Sequence, residues 1–492
     1  MILVSGNNRA LLELRKIMRF GKTKEGQELI WRRNHSLHND TGVIVIDDFL
    51  YFRRKGKVDE MYITGFDIDD EIDAFNKSDL TELHISAYFS QWQLKDLDFL
   101  RKVNHVKGIT IDLTDDYIDI SGLYSLVDLE SMGLYLNQKS AKSVTLSPFR
   151  NIKNLGINFF PSNPSDSDLP RLEYIGLMGV KLKSRSFKDF SHINSLKHIN
   201  VIRSNFETLE GLPRNVERLD FSGCRSLKSL SGIESAKDSL TSLTIEKSRN
   251  LTDYSGLSQC KELREIDLSD CGPIQSISFL NEMPKVKEGK FYFYGTDILD
   301  NDVSPTIGCN KVGFKDKKQY NYTLEQIRAI NSGVDPQSVM DPYQGTPVIT
   351  IPIFGEIYEK RIEDDNLEES VKIGRRTVDL SIDFSEGVPE SWLDRYSSYA
   401  EIMPQLMEKI KQSIFDDFHS KGSTYEYLDF HYEEKVSESQ VKKFRLKRVS
   451  IYPHKEEDYA IWDYVIPILE TDYVLAITTD AKGNIRSILM ES

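Results

Sequence analysis

Several features that mark common protein classes are scarce in this chain of 492 residues. No stretch approaches the roughly 18 consecutive apolar residues of a membrane-spanning helix, so no membrane partner is expected. The first residues lack a basic segment followed by an apolar one, so we expect no secretory signal. Cysteine is also rare, with 4 residues, and we expect structural thiols rather than a disulfide framework. These features favour a reducing, cytoplasmic compartment, with secretion by a signal-less route left open.

The motifs of several enzyme classes are missing as well. There is no Gly-x-x-x-x-Gly-Lys-Ser/Thr nucleotide loop, no His-Glu-x-x-His zinc motif and no Gly-x-Ser-x-Gly hydrolase elbow. No cysteine follows Cys309, which excludes a cysteine nucleophile in the last third of the chain. We therefore expect no cofactor, no metal and no catalytic residue, with residues 346–492 the region where an enzyme activity stays open.

The charge balance argues against a further class. Aspartate and glutamate number 77 against 63 lysines and arginines, which gives a net charge of −14. A general nucleic-acid binder needs a basic face to displace phosphate counterions. No nucleic-acid partner is therefore expected.

What the chain does contain is a repeated unit, apolar-x-x-apolar-x-apolar, between residues 58 and 295. Its middle apolar residue recurs every 20 to 26 residues. Self-similarity at this period indicates a solenoid, in which each unit buries its apolar ridge only against its neighbours. The markers are Met61, Leu83, Ile109, Met132, Leu155, Ile175, Ile199, Leu219, Leu243 and Ile266, with a weaker copy at Gly289.

The units resemble leucine-rich repeats of the short, internalin-like kind. Val216 to Cys224 and Leu263 to Cys271 are the clearest strand segments, and a second pattern such as Leu230-Ser-Gly-Ile233 follows the turn. Cys224 and Cys271 occupy the same turn position, which suggests buried thiols that replace asparagine in a ladder. The resemblance implies an α/β solenoid with a parallel sheet on its concave face and 3₁₀ turns or short helices on its convex side.

The residues between the apolar positions point outward onto the concave face, because side chains alternate across a strand. We predict that this face binds a protein partner through an aromatic and aliphatic centre beside an acidic stripe, the composition of a binding hot spot. The stripe predicts a partner with a basic surface. The candidate residues are Tyr135, Asn158, Met178, Ile202, Asp220, Glu246, Asp267 and Tyr292.

Three glycines are predicted to stack in one column of this face. Gly133, Gly156 and Gly176 occupy the same position in successive units. Glycine weakens a strand unless something needs room beside it. The column therefore indicates close approach by a partner or by a loop of the chain itself. The alternatives are ordinary surface variation and a groove filled by the loop at residues 159–161.

The remaining segments divide into three. Residues 1–57 are predicted to cap the solenoid, with a helix at 10–20 and strands at 43–46 and 49–52. Residues 296–345 are a second cap and linker with a helix at 324–331. Residues 346–492 change to a period of two and predict an α+β domain with a mostly antiparallel sheet. Its predicted strands are 348–357, 372–384, 425–432, 441–452, 459–468, 473–479 and 485–489, and its helices are 389–403 and 404–418, separated by Pro404.

The last domain resembles a family of small bacterial domains of unknown function. The resemblance lies in Ile349 to Gly355, Val378 to Phe384, Leu428 to His431, Tyr464, and Tyr473 to Leu475. It implies a kinship with domains found among bacterial immunity and conflict-system proteins, and it brings no catalytic residues.

One group of residues in this domain could carry chemistry. On a strand, Asp429, His431 and Glu433 would share one face and could bind a metal or perform acid–base catalysis. Any half-buried strand shows the same alternation, and we favour that interpretation.

Together these patterns predict a non-catalytic protein-binding scaffold, an immunity or regulatory protein that neutralises a toxin or effector. The alternative is an enzyme or effector whose last domain is catalytic and whose repeats select the substrate. The sequence indicates no oligomeric state.

Overall fold

The computed structural model describes residues 42–339 and 347–491, apart from 47–48, 55–56, 64–67, 87–94, 115–116, 161–168, 359–365, 374–375, 386–390, 433–435, 468 and 470–472. The described residues form two compact units, the first of which ends at Val339. The helix predicted at residues 10–20 lies outside the described residues. The boundaries predicted at 57, 295 and 345 stay predictions.

The first unit is built on one 14-stranded sheet whose strands follow each other in chain order. β1, β2 and β3 pair antiparallel, and every later neighbour is parallel. The strands predicted at residues 43–46 and 49–52 are confirmed. The strands are β1 Gly42–Ile46, β2 Phe49–Arg54, β3 Lys57–Ile63, β4 Glu82–Ser86, β5 Gly108–Leu113, β6 Ser131–Leu136, β7 Asn154–Ile157, β8 Tyr174–Met178, β9 His198–Ile202, β10 Arg218–Ser222, β11 Ser242–Glu246, β12 Glu265–Ser269, β13 Lys290–Tyr292 and β14 Lys311–Gly313.

Short helices connect the strands on the side opposite the sheet. The predicted 3₁₀ segments are confirmed; Ile233–Ala236, for example, follows Gly232, which has a φ of 103°. The α-helices are α1 Ile68–Lys77, α2 Gln138–Ala141, α3 Pro284–Glu288 and α4 Leu324–Asn331, and the 3₁₀ segments are Asp98–Lys102, Ser121–Ser125, Phe187–Phe190, Ile233–Ala236, Leu257–Gln259, Ser278–Glu282, Ser304–Thr306 and Pro336–Ser338.

The apolar markers form the core as predicted. Leu219 pairs with Ile199 on one side and Leu243 on the other, and all three are fully buried. The same register runs from Met61 to Ile266, so the leucine and isoleucine columns are continuous through the sheet. The N-terminal unit is a leucine-rich-repeat solenoid.

Small polar side chains in equivalent positions contact backbone carbonyls at the turns that follow β9, β10, β12 and β13. The hydroxyls of Ser204 and Thr296 donate to strand carbonyls of the preceding repeat, Leu177 and Leu268. The thiols of Cys224 and Cys271 occupy the same position and point at the carbonyls of Val201 and Ile245. The four cysteines are buried and none of them forms a disulfide, which confirms the structural role predicted for them.

The weak copy at Gly289 is misplaced by two residues. Phe291, not Gly289, pairs with Ile266, and Tyr292 therefore lies beside Asp267. The apolar marker was missed because the segment before it is the short helix α3, which shifts the strand along the chain. One more parallel strand, β14, lies inside the segment predicted as a cap, and the predicted helix α4 follows it with a capping box at Thr323.

The second unit contains a hairpin and a six-stranded mixed sheet in chain order. Only β18 and β19 pair in parallel, so the predominantly antiparallel sheet is confirmed. The strands are β15 Pro347–Ile351, β16 Gly355–Tyr358, β17 Asn366–Ile373, β18 Arg376–Asp383, β19 Arg445–Ile451, β20 Ala460–Val465, β21 Val474–Thr479 and β22 Ile485–Glu491, and the helices are α5 Trp392–His419, α6 Ser423–His431 and α7 Glu438–Val441.

Three predictions for this unit were wrong. The helix break at Pro404 does not occur, because α5 buries Met403, Leu406 and Ile410 in one continuous apolar stripe. The strand predicted at residues 425–432 is the helix α6. Its buried residues, Thr424, Tyr427 and Leu428, follow helical spacing, and this packing overrides the strand preference of its aromatic residues.

The third error is that two predicted strands each join two strands of the structure. The strand predicted at 348–357 covers β15 and β16, which are separated before Gly355 with its φ of +81°. The strand predicted at 372–384 covers the end of β17 and all of β18, in which Ile373 pairs with Arg376.

Candidate functional site

The concave face, by which we mean the outward face of strands β3 to β14, consists of three columns of side chains. The alternation is visible in β10, where Leu219 and Phe221 are buried while Arg218, Asp220 and Ser222 are accessible. The second and third columns follow the apolar marker of each repeat and were predicted from the sequence. The first column precedes the marker and was missed, because only residues after the marker were assigned to the outward face. The first column comprises Glu60, Glu82, Gly108, Ser131, Asn154, Tyr174, His198, Arg218, Ser242, Glu265, Lys290 and Lys311.

The predicted glycine column is confirmed, since Gly133, Gly156 and Gly176 pair directly across β6, β7 and β8. The chain's own tyrosines occupy the space beside it. A β-carbon on Gly156 would lie 2.5 Å from the hydroxyl of Tyr135, and one on Gly176 would lie 3.0 Å from the hydroxyl of Tyr174. The glycines therefore allow two aromatic rings to lie close to the sheet.

Two of the candidate residues are less available than predicted. Tyr135 is only 6% exposed, so its placement as an exposed aromatic was wrong. Burial, with Tyr174 and Asp112 nearby, raises its pKa to about 12. The Asn158 side chain accepts from the backbone N–H of Leu136 and donates to its carbonyl, so it closes the end of β6.

Two aliphatic candidates remain accessible. Met178 and Ile202 are neighbours in register on β8 and β9, and both are half-buried. The nearby Phe160 packs edge-on against Phe190, which belongs to a 3₁₀ segment behind the sheet. Phe160 therefore belongs to the core side and leaves these two side chains uncovered by its ring.

A polar cluster lies on β8 to β10, which include the strands of Met178 and Ile202. Asp220 Oδ2 accepts hydrogen bonds of 2.8 Å from His198 Nε2 and from Arg218 Nε. The edge of the Tyr174 ring contacts His198, and the Tyr174 hydroxyl bonds to Asn200. Burial opposes ionisation of Asp220, but the two hydrogen bonds outweigh it and lower its pKa.

The last repeats combine acidic and aromatic side chains. Glu246 is exposed, whereas Asp267 has Lys290 Nζ 3.9 Å from its carboxylate. Lys290 also lies over the ring of Tyr292, whose neighbour Tyr294 is 44% exposed. The predicted acidic stripe is therefore partly compensated by basic residues of the column that sequence analysis missed.

The first repeats carry a further acidic group that sequence analysis did not select. His84 Nδ1 lies 2.8 Å from Glu60 Oε1, and the Glu82 carboxylate lies over Gly108 of the next strand. Burial, together with the charges of Glu60, Asp59 and Glu130, raises the pKa of Glu82 to about 7. The signal that could have found this group is that Glu60 and Glu82 each stand directly before the apolar marker of their repeat, Met61 and Leu83.

The residues singled out in the second unit do not form a site. In the helix α6, residues two positions apart point to opposite sides. Asp429 is exposed, while His431 packs against Tyr427 and Tyr473 and hydrogen-bonds the Tyr427 carbonyl. Burial lowers the pKa of His431. Glu433 lies outside the described residues, within which there is no group of three or more His, Cys, Asp or Glu residues that could hold a metal.

Comparisons with solved structures return leucine-rich-repeat proteins. An internalin of Listeria monocytogenes is 14% identical, covers 52% of this chain and 73% of its own, and has a TM-score of 0.34. A repeat protein of Leptospira interrogans is 13% identical over 55% and 74%, with a TM-score of 0.38. The repeat domain of the type III effector XopL is 14% identical over 64% and 98%, with a TM-score of 0.33.

At these identities the likeness concerns only the fold of the leucine-rich-repeat solenoid. No protein-family model and no curated protein matches the chain. The resemblance of residues 346–492 to a bacterial domain family therefore stays a prediction. None of the helices in the described ranges is long and apolar enough to cross a membrane.

Proposed function

We propose that this chain is a non-catalytic scaffold whose concave face binds a protein partner with a basic surface. The observation that carries the proposal is the excess of carboxylates on that face. Basic residues in its columns are Arg218, Lys290 and Lys311, whereas the acidic residues are Glu60, Glu82, Asp112, Asp220, Glu246, Glu265 and Asp267. Such a face attracts a basic protein and repels nucleic acid.

The apolar contribution comes from Met178 and Ile202. They lie side by side and accessible on neighbouring strands, as an anchor point of a protein interface does. Because charge supplies long-range attraction, the association rate is expected to fall with ionic strength.

The most specific form of the proposal is an immunity or regulatory protein that neutralises a bacterial toxin or effector. Its support is the resemblance of residues 346–492 to domains of such systems. The four buried thiols support a cytoplasmic compartment, since burial raises the pKa of Cys260 and Cys271 to about 12 and leaves them unreactive. We do not propose an enzyme, because Asp429 and His431 point to opposite sides of the helix α6.

The test is partner capture with matched variants. Met178→Arg with Ile202→Arg places two cations where a basic partner should dock, and Val127→Arg with Leu299→Arg changes two exposed apolar residues outside the sheet. We expect the wild type and the Val127, Leu299 variant to capture the same crosslinked partner in equal amounts. The Met178, Ile202 variant should capture at least tenfold less of it. Equal capture by all three would refute the assignment of the face.

A growth assay tests the finer form. Coexpression with the toxin encoded nearest to this gene should restore growth in the wild type and in the Val127, Leu299 variant. Failure of the wild type to protect would remove the immunity role and leave protein binding intact.

A further inference from the structure

We propose that the concave face recognises a protein segment with two basic clusters separated by apolar residues, one cluster at each of two acidic patches. This inference rests on the proposed function and specifies the partner's chemistry. It follows from where the charges lie along the sheet, not from their total.

The first acidic patch occupies the strands β3 to β5 and consists of Glu60, Glu82 and Asp112. Within it the His84 imidazole lies 2.8 Å from the Glu60 carboxylate. Burial is the main cause of the raised pKa of Glu82, and repulsion by the charges of Glu60, Asp59 and Glu130 adds to it. A lysine or arginine of a partner would relieve this repulsion.

The second acidic patch occupies β10 to β12 and consists of Asp220, Glu246, Glu265 and Asp267. Arg218 and Lys290 compensate Asp220 and Asp267. Glu246 and Glu265 are exposed at the ends of their strands. Asp220 Oδ1 is buried and has no hydrogen-bond partner among the described residues.

The four strands between the patches, β6 to β9, present no Asp, Glu, Lys or Arg in the three columns. Their outward residues are Ser131, Gly133, Tyr135, Asn154, Gly156, Asn158, Tyr174, Gly176, Met178, His198, Asn200 and Ile202. At the start of these strands Lys153 pairs with Glu130, and Lys197 pairs with Glu173. The apolar and aromatic side chains that remain partly accessible in this centre are Tyr174, Met178 and Ile202.

The separation of the patches follows from the strand register. Five steps of about 4.8 Å lead from β5 to β10, or about 24 Å along the sheet. An extended chain covers this distance with about seven residues. Two basic clusters at this spacing can engage both patches at once, and the second contact is then intramolecular and gains from a high effective concentration.

The test uses two synthetic peptides of identical composition and the full chain. In the spaced peptide, seven residues of leucine, alanine and serine separate two triplets of arginine; in the clustered peptide all six arginines are contiguous. Fluorescence anisotropy should show at least tenfold tighter binding of the spaced peptide. Equal affinity for the two peptides would overturn the two-patch arrangement.

Variants locate the contacts. Glu60→Gln with Glu82→Gln removes charge from the first patch, and Glu246→Gln with Glu265→Gln removes it from the second. Each pair should weaken the spaced peptide at least threefold, and Glu210→Gln, on a turn behind the sheet, should not. An effect of only one pair would also overturn the inference. Circular dichroism confirms that each variant is folded.

The outcomes separate this inference from the proposed function. If both glutamine pairs weaken the two peptides equally, the face still binds basic chains and only the two-patch arrangement is wrong. If neither pair changes the binding of either peptide, the concave face is not the binding surface and both proposals fail.

Discussion

The two units are stabilised by contacts of different range. In the repeat unit, buried residues contact their equivalents in adjacent repeats, as Leu219 does with Ile199 and Leu243. In the second unit, the Trp462 indole donates to the Tyr399 hydroxyl, which bonds to Thr479, 80 residues further along the chain. The first arrangement makes stability a sum of neighbour terms. The second makes the unit cooperative, so one lesion affects all of it.

The largest effect should follow from loss of Trp462. Trp462→Ala removes a fully buried side chain and the hydrogen-bond donor to Tyr399. We expect a loss of about 3–5 kcal/mol. Hydrogen exchange followed by mass spectrometry should show lower protection throughout residues 366–491.

The contrast predicts that protection in the repeat unit is unchanged. Trp392→Ala is the control, because this residue is only partly buried at the start of α5. Equal losses for the two tryptophan variants would contradict a core centred on Trp462.

A lesion in one repeat should be smaller and local. Gly232 has a φ of +103°, and a β-carbon there would lie 2.4 Å from the Leu209 carbonyl group. Gly232→Ala therefore combines the cost of a left-handed residue with a backbone overlap, and we expect about 2–4 kcal/mol. Hydrogen exchange should increase only in the repeats on either side.

Gly179→Ala separates the two causes. Its φ is +66°, but no atom lies within 4 Å of the added carbon. We expect only the conformational cost of about 1–2 kcal/mol. If both variants lose the same stability, the overlap at Leu209 contributes nothing.

The glycine column offers a pairwise test of the concave face. Gly156→Ala would force its new methyl group against the Tyr135 hydroxyl, and we expect a loss of about 1–2 kcal/mol. Tyr135→Phe removes that hydroxyl, and the ring carbon beneath it lies at 3.4 Å, an ordinary contact distance. Urea denaturation of the double variant should therefore recover most of the loss; additive losses would contradict the contact.

The smallest effect depends on pH. The pKa of Glu82 is about 7 in the folded protein against an ordinary 4.5. Between these values the folded state keeps a proton that the unfolded state has released, so stability falls as the pH rises through this window. Glu82→Gln should be more stable than the wild type by about 1 kcal/mol above pH 7, since solvent screens a half-buried carboxyl, and equal to it at pH 4.

Glu130→Gln provides a control of opposite sign. Its hydrogen bond with Lys153 lowers the pKa of Glu130, so the carboxylate supports the fold at neutral pH. Thermal melts at pH 4 and pH 8 measure both variants. A gain for Glu82→Gln that is the same at both pH values would exclude a titrating carboxylate as its cause.

The same contrast explains how far sequence reasoning reached. In the repeats, one short pattern fixes the strand, its register and its outward residues, and ten copies confirm each other. The error at β13 arose where the pattern was weakest, at Gly289. The positions of Met178 and Ile202 followed from alternation, whereas the burial of Tyr135 did not, because it depends on glycine in the neighbouring repeat.

In the second unit each element occurs once, so no copy corrects a mistake. Residues Ser423 to His431 alternate like a strand and are rich in aromatic residues, yet contacts with distant parts of the sheet make them helical. The compensation of Asp220 by Arg218 was missed for a related reason. It requires knowing that the residue before the marker also faces outward.

The column of hydroxyls and thiols at the turns has an evolutionary consequence. Because Ser204, Cys224 and Thr296 meet equivalent carbonyls of the preceding strand, excision or duplication of one whole repeat leaves every donor opposite an acceptor. The central surface could thus be shortened or lengthened in increments of about 4.8 Å without redesign of the ends. Relatives with one repeat more or fewer would then present a central surface of correspondingly different length, which would suit ligands of correspondingly different length.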